Sequence, residues 1–392
     1  MTITFPDGFL WGVATAAHQV EGGNWNNDWW AWEHADGTRC VEPSGDTCDH
    51  FWRYPADIAL LADMGFGAYR FSLEWSRIEP ESGEFSAAAL DHYARMIASC
   101  RDNDVLPVVT FHHFTTPRWL ASRGGWHAPD VADRFGEFCE RAVTRLGDEI
   151  AIACTINEPN IVSLMGYLVG DFAPGHRDMH EYSKVNENLI AAHRTAYGAL
   201  KAGPGNFPVG QCVAMGDWWA PEGAEDTLTR IRHMHEGQFL DASRGDDYIG
   251  VQAYSRTRLD AKGLPIGPEE GVRVVESMGY EYWPQALEVA VRHAVEVAGV
   301  PVYVTENGIG TDDDDTRIAF VREALTGLAA CIEDGLDVRG YISWSLLDNF
   351  EWALGYAPHF GLVAVDRATQ ERTVKRSGQW IGNVARTNTL EA

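Results

Sequence analysis

The chain has 392 residues, 45% of them hydrophobic and 22% charged, the profile of a folded globular protein large enough for a sizeable core. Its formal net charge of −26 repels nucleic acid and anionic membrane surfaces and disfavours a polyanionic substrate, so a neutral small-molecule ligand fits best. No run of about 18 apolar residues occurs, which argues against a spanning helix, and Met1 to Asp7 lacks the basic and apolar regions of a signal peptide.

Short β-prone runs recur along the chain: Leu10 to Thr15, Ala68 to Leu73, Leu106 to Phe111, Ile150 to Ile156, Val209 to Met215, Tyr248 to Ala253, Val300 to Thr305 and Gly340 to Ser345. Between them lie segments with apolar residues three and four apart. Pro55 to Met64, Ala87 to Arg101 and Val131 to Leu146 come first. Asn186 to Ala202, Asp226 to Phe239, Pro284 to Val297, Thr316 to Asp334 and Lys375 to Val384 follow. Eight strands, each followed by a helix, imply a parallel sheet closed into a single (β/α)8 TIM barrel, with residues 1–392 as one catalytic domain. The rival is an open doubly wound sheet, and no strand–GxGxxG–helix unit supports it. The run Asp312 to Asp315 reads as a solvated loop.

Seven cysteines are scattered without CxxC spacing. An odd count of this kind fits reduced thiols in a cytoplasmic protein, with a Cys40–Cys48 bridge as the minor alternative. Assembly state is left open.

Two strings carry most of the chemistry. Thr155-Ile156-Asn157-Glu158-Pro159 and Tyr303-Val304-Thr305-Glu306-Asn307-Gly308 each put a glutamate at the end of an apolar strand. In a barrel, strand C-termini gather the functional groups, and a facing pair of carboxyls suits cleavage of a glycosidic bond. The other strand ends add Gln19, Arg70, His113, Tyr254, Trp344, Glu351 and Trp352. Amides and carboxylates bind hydroxyls, and flat rings cover the C–H faces of a sugar. His112 and His113 point to opposite faces of their strand, so they do not form a metal pair; no metal or organic cofactor is expected.

These motifs, with the opening Phe5-Pro6-Asp7-Gly8-Phe9-Leu10-Trp11-Gly12-Val13-Ala14-Thr15-Ala16 and the closing stretch from Gly355-Tyr356 to Asp366, resemble the family 1 glycoside hydrolases, the β-glucosidase and β-galactosidase group. The resemblance implies an exo-acting retaining β-glycosidase. Glu306 would be its nucleophile, and Glu158 its general acid and then base. Gln19, His113, Asn157, Glu351 and Trp352 would hold the non-reducing sugar, with Trp344 beneath it. Arg70 and Tyr254 would contact Glu306, and Tyr280 would line the leaving-group side. Arg70 and Tyr254 are expected to lower the Glu306 pKa, while desolvation and the Glu306 charge raise that of Glu158. The alternative is a transglycosylase that passes the same covalent intermediate to an acceptor other than water.

Several positions depart from the family pattern. Phe114-Thr115-Thr116-Pro117 stands where Trp-Asp-Leu-Pro is usual, Gln252-Ala253-Tyr254 replaces Asn-Tyr-Tyr, and His359 takes the place of a common arginine. The stretch between Glu158 and Glu306 is short, which predicts an open leaving-group region.

Overall fold

A computed structural model describes residues 2–391. Eight parallel strands close on themselves: β1 (Leu10–Ala14), β2 (Ala68–Ser72), β3 (Leu106–His112), β4 (Ile152–Asn157), β5 (Val209–Trp219), β6 (Tyr248–Leu259), β7 (Val302–Glu306) and β8 (Val338–Trp344). Each pairs with the next, and β8 returns to β1 through Gly340↔Leu10 to Trp344↔Ala14. This is the expected barrel. All eight strands fall where the apolar runs predict them. The largest differences are at the ends of β5 and β6, which continue past the barrel rim as a paired ribbon to Trp219↔Arg258.

The period of two sorts each strand between two cores. Inside the barrel, Ala14, Ala68, Val108, Ile152, Tyr248 and Ile342 pack beneath Trp344. Their neighbours Val13, Tyr69, Val109 and Ala153 face outward into the larger core under the helices. Those helices are α1 (His50–Met64), α2 (Ala87–Asp102), α3 (Val131–Leu146), α4 (Met179–Ala202), α5 (Glu225–Arg232), α6 (Ala286–Ala298), α7 (Asp314–Glu333) and α8 (Arg376–Thr387). Two begin earlier than the apolar spacing suggests. α1 starts five residues before Pro55 and contains it. α4 starts at Met179, where the Asp178 carboxylate accepts from the N–H groups of His180 and Glu181. α5 passes through a π turn, His233–Gly237, into Gln238–Ala242. Thr2–Thr4 pairs with Thr389–Glu391, tying the two ends of the chain together.

The acidic run is solvated, as expected, with Asp312, Asp313 and Asp315 exposed, but only its first half is loop and its carboxylates have partners. Asp313 caps α7 through the Asp315 N–H, Asp314 holds Arg317 and Ser377, Asp312 pairs with His359, and Asp315 pairs with Arg376. Its charges are spent on a helix start and four partners. All seven cysteines are free. Cys154 and Cys212, on adjacent strands, bring their sulfurs to 3.1 Å. Among the described residues no helix is long and apolar enough to cross a membrane.

Strand packing leaves no room for a side chain at Gly210, where a Cβ would lie 2.2 Å from the Tyr248 carbonyl oxygen. Gly198, inside α4, has open space around it. Gly210→Ala is therefore expected to destabilise by about 1–3 kcal/mol or more. Gly198→Ala should be neutral or stabilising by up to about 1 kcal/mol. Urea unfolding midpoints of the two variants check this contrast.

Candidate active site

The pocket opens at the C-terminal end of the barrel with a volume of about 240 Å³. Gln19, His113, Glu158, Tyr254, Tyr280, Glu306, Trp344, Glu351 and Trp352 all line it. Arg70 and Asn157 lie one layer beneath, fully buried. The strand ends thus bring together every residue singled out from the sequence.

Glu306 ends β7 and is only 4% exposed. Arg70 Nη1 donates to its Oε1 at 2.6 Å, and Tyr254 Oη donates to its Oε2 at 2.6 Å. Both carboxylate oxygens are thereby fixed in orientation. Arg70 also donates to Asn157 Oδ1, and Gln252 Nε2 donates to the same oxygen at 2.8 Å. Two donors on Oδ1 set which way the Asn157 amide faces. Its Nδ2 then reaches His113 Nε2 at 3.2 Å, so that ring nitrogen accepts. Burial, then the Arg70 charge, holds His113 well below its usual pKa and keeps it neutral. Gly308 completes the Glu-Asn-Gly turn, and a Cβ there would meet the Trp344 carbonyl oxygen at 2.1 Å. The backbone requires glycine for that close approach.

Glu158 is 9% exposed and follows β4 at φ 45°. Its N–H donates to the Cys212 carbonyl at 2.8 Å, and Pro159 opens the short helix after it. Phe114 (φ 69°) and Trp352 (φ 51°) share this left-handed conformation and line the same pocket. Three non-glycine residues in a costly backbone region around one cavity mark a site whose surroundings hold it in shape.

Burial raises the Glu158 pKa well above the usual carboxyl range, and the Glu306 charge adds to the rise. Burial also raises Glu306, although Arg70, Tyr254 and Gln252 pull it back. Arg70 and Tyr254 each lower it, as expected, but desolvation outweighs them and the net direction is upward. The asymmetry survives: Glu306 has a cation and a phenol favouring its charged form, and Glu158 has a neighbouring anion opposing its own.

Across the pocket, Gln19 Nε2 donates to the Phe350 carbonyl at 2.7 Å and to Asn349 Oδ1 at 3.1 Å, and it lies 3.4 Å from Glu351 Oε2. The Gln19 Oε1 acceptor has no protein partner. His113 stacks near Trp344 and Trp352, with ring centroids at 5.9 and 6.1 Å. Trp352 rests on Trp29 at 4.6 Å and on His18 at 5.8 Å. His112 points the other way, into Trp126 and Phe135.

The sequence reading assigned no pocket role to Ile161, Phe172, Ala214, Met278 or Phe360, which complete the wall. Phe172 and Met278 sit in irregular loops, and only their apolar character beside Gly and Pro residues hints at them.

Paired buried carboxyls, an arginine on one of them, and a wall of amides and indoles at the top of a (β/α)8 barrel define a hydrolase site for a sugar. The chain matches glycosyl hydrolase family 1 over residues 1–264 and 267–390, and it belongs to that family of glycoside hydrolases. It is 33% identical to β-glucosidase A of Thermotoga maritima, over 99% of both chains, and 33% identical to a β-glucosidase of an Agrobacterium species, over 97% of this chain and 95% of that one. Among solved structures, β-glycosidase BGL167 superposes with a TM-score of 0.92 at 47% identity, covering 99% of this chain and 98% of the other. The T. maritima β-glucosidase in complex with noeuromycin gives a TM-score of 0.94 at 31% identity, covering 99% and 100%.

Burial, with the Glu306 charge adding to it, pushes the Glu351 carboxyl up to about 8. A carboxyl raised in the fold keeps its proton where the unfolded chain has lost it. Between the usual carboxyl value and about 8, rising pH therefore costs stability. Glu351→Gln lacks that cost. Its melting temperature relative to the parent should climb from pH 5 to pH 8, by a few degrees, as scanning calorimetry would record.

Proposed function

We propose that the chain is an exo-acting, retaining β-glucosidase that works by double displacement, with residues 1–392 as one catalytic domain. Glu306 attacks the anomeric carbon and forms a glycosyl ester. Glu158 protonates the leaving oxygen, then removes a proton from the incoming water. The observation that carries this reading is the unequal setting of the two acids: Arg70 and Tyr254 hydrogen-bond Glu306, whereas burial and the Glu306 charge outweigh the more distant Arg70 at Glu158. Esterification removes the Glu306 charge, which lets the Glu158 pKa fall and turns the acid into a base.

Gln19, His113, Asn157, Glu351 and Trp352 bind the glycone, and Trp344 forms its floor. Glu351, able to accept or donate, suits a free hydroxyl and opposes a phosphate. Tyr280, with Ile161, Phe172 and Met278, contacts the aglycone. The relative of T. maritima aligns over 443 positions against 392 residues here. This chain is therefore the shorter, and the short stretch between Glu158 and Glu306 would leave an open leaving-group side that admits varied aglycones. Transfer to other acceptors shares the first step, and the glucosidase names of the relatives favour water. The free thiols support a reducing, cytoplasmic setting, and the acidic charge leaves nucleic acid out as a partner.

Glu158→Ala should lose at least about 100-fold in kcat on alkyl β-glucosides, which need protonation. It should lose far less kcat/KM on dinitrophenyl β-glucoside, which does not. Equal losses on both substrates would remove the acid from Glu158. Proton NMR of the first-formed product should show the β-anomer of glucose; the α-anomer would contradict the double displacement.

A further inference from the structure

Two indoles break the usual rule that large rings are covered. Trp25 is 63% exposed and Trp52 is 75% exposed, and both line a single hollow of about 420 Å³ on the outer rim of the barrel. That volume lies within the roughly 300–1,000 Å³ of small-molecule sites. The hollow is separate from the catalytic pocket and shares no residue with it. It is built from the loop after β1, the N-terminus of α1, the turn after β2 and the outer face of α2.

Its frame is rigid. Phe51 stacks on His92 at 3.7 Å and 8°, Trp52 meets Phe51 edge-on at 5.0 Å, and the Arg77 guanidinium lies 4.4 Å over Phe51. Glu21 anchors Arg77 at 2.8 Å. Asn26 is held by donating to the carbonyls of Ser76 and Pro80, at 3.3 and 3.0 Å. Arg95 projects from α2 into solvent beside the indoles.

The chemistry of the lining narrows the ligand. No Asp or Glu lines this hollow, so polar contacts there come from the Asn24 and Asn26 amides and the Arg77 and Arg95 guanidinium groups. Flat rings flanked by guanidinium and amide groups fit a ligand with C–H faces and many hydroxyls. The hollow also sits at the strand-end rim from which the catalytic pocket opens. One buried link joins the two: Asn24 Nδ2 donates to Glu74 Oε2 at 2.5 Å, and Thr115, next to Phe114 of the pocket, donates to the same oxygen at 3.0 Å.

We propose that this hollow is a second, non-catalytic saccharide site that stacks pyranose rings on Trp25 and Trp52, with Arg95 and Asn26 turned to their hydroxyls. It would keep a longer β-glucan chain at the rim while its end is cleaved. The choice of a β-glucan as ligand rests on the proposed function; the site itself rests on the exposed indoles and the amide and guanidinium groups beside them.

Native electrophoresis through gels containing hydroxyethylcellulose, a neutral β-1,4-glucan derivative, tests the site. Saturating deoxynojirimycin fills the catalytic pocket. The parent protein should be retarded, and Trp25→Ala/Trp52→Ala should run as in a glucan-free gel, its dissociation constant raised at least about tenfold. The double variant should keep kcat and KM on nitrophenyl β-glucoside within about twofold. Trp52→Tyr, which keeps a flat ring, should remain retarded. An unretarded parent, or retardation that persists in the double variant, overturns the proposal. So does a dimer in sedimentation that the double variant abolishes, since a second copy would then cover the indoles. Failure of deoxynojirimycin to inhibit would count against the catalytic reading alone, and the gels would still compare the two proteins.

Discussion

The buried ion pair between Arg70 and Glu306 is the constraint around which the catalytic end of the barrel is arranged. Arg70 is fully buried inside the barrel, where a lone guanidinium would cost several kcal/mol. It is tolerated because Glu306 takes one of its nitrogens and Asn157 takes another. That demand brings the middle of β2 and the last residues of β4 and β7 to one point. Gln252 closes the set by holding Asn157 from β6. The same pair would supply the proposed chemistry, since the Arg70 charge opposes the rise that burial imposes on the Glu306 carboxyl. Stability and reactivity draw here on one interaction, so a substitution at either residue disturbs both.

From that point the site spreads by contact. Asn157 sets the His113 ring, His113 lies against Trp344 and Trp352, and Trp352 is braced by Trp29 and His18. His18 in turn meets Glu33 at 3.3 Å, and Glu33 accepts from Ser44 at 2.6 Å. The wall proposed to hold the glycone is therefore the inner surface of a polar and aromatic layer several residues deep. The wall proposed for the leaving group is thinner. Met278 and Tyr280 come from the segment that joins β6 to α6, which carries only two two-residue pairings, Pro265–Ile266 with the end of β6 and Val274–Val275 with Tyr280–Glu281. Discrimination should accordingly be sharper for the sugar than for what it is attached to.

Much of this was legible in the residues because a parallel strand buried on both faces is a short, nearly unbroken apolar run. Val108-Val109 and Val302 to Val304 are such runs, and a pocket group follows each within a few residues, His113 after the first and Glu306 after the second. Legibility ended where period ended. Pro55 reads as a helix boundary, but α1 begins at His50 and carries Pro55 within it. The turn of β5 and β6 out of the barrel follows from pairing between Asp217 and Arg256, which no single segment displays. The left-handed backbone at Phe114, Glu158 and Trp352 has no signature either, since none is a glycine or asparagine. The net rise at Glu306 needed the depth of its burial, a property of the assembled barrel and not of the motif.

The claim that Glu306 is the attacking carboxylate is tested most directly by trapping the intermediate. Incubation with 2,4-dinitrophenyl 2-deoxy-2-fluoro-β-glucoside, followed by peptide mass mapping, should find one fluoroglucosyl group, esterified to Glu306. Attachment to Glu158 or Glu351, or turnover with no trapped ester at all, would contradict the account.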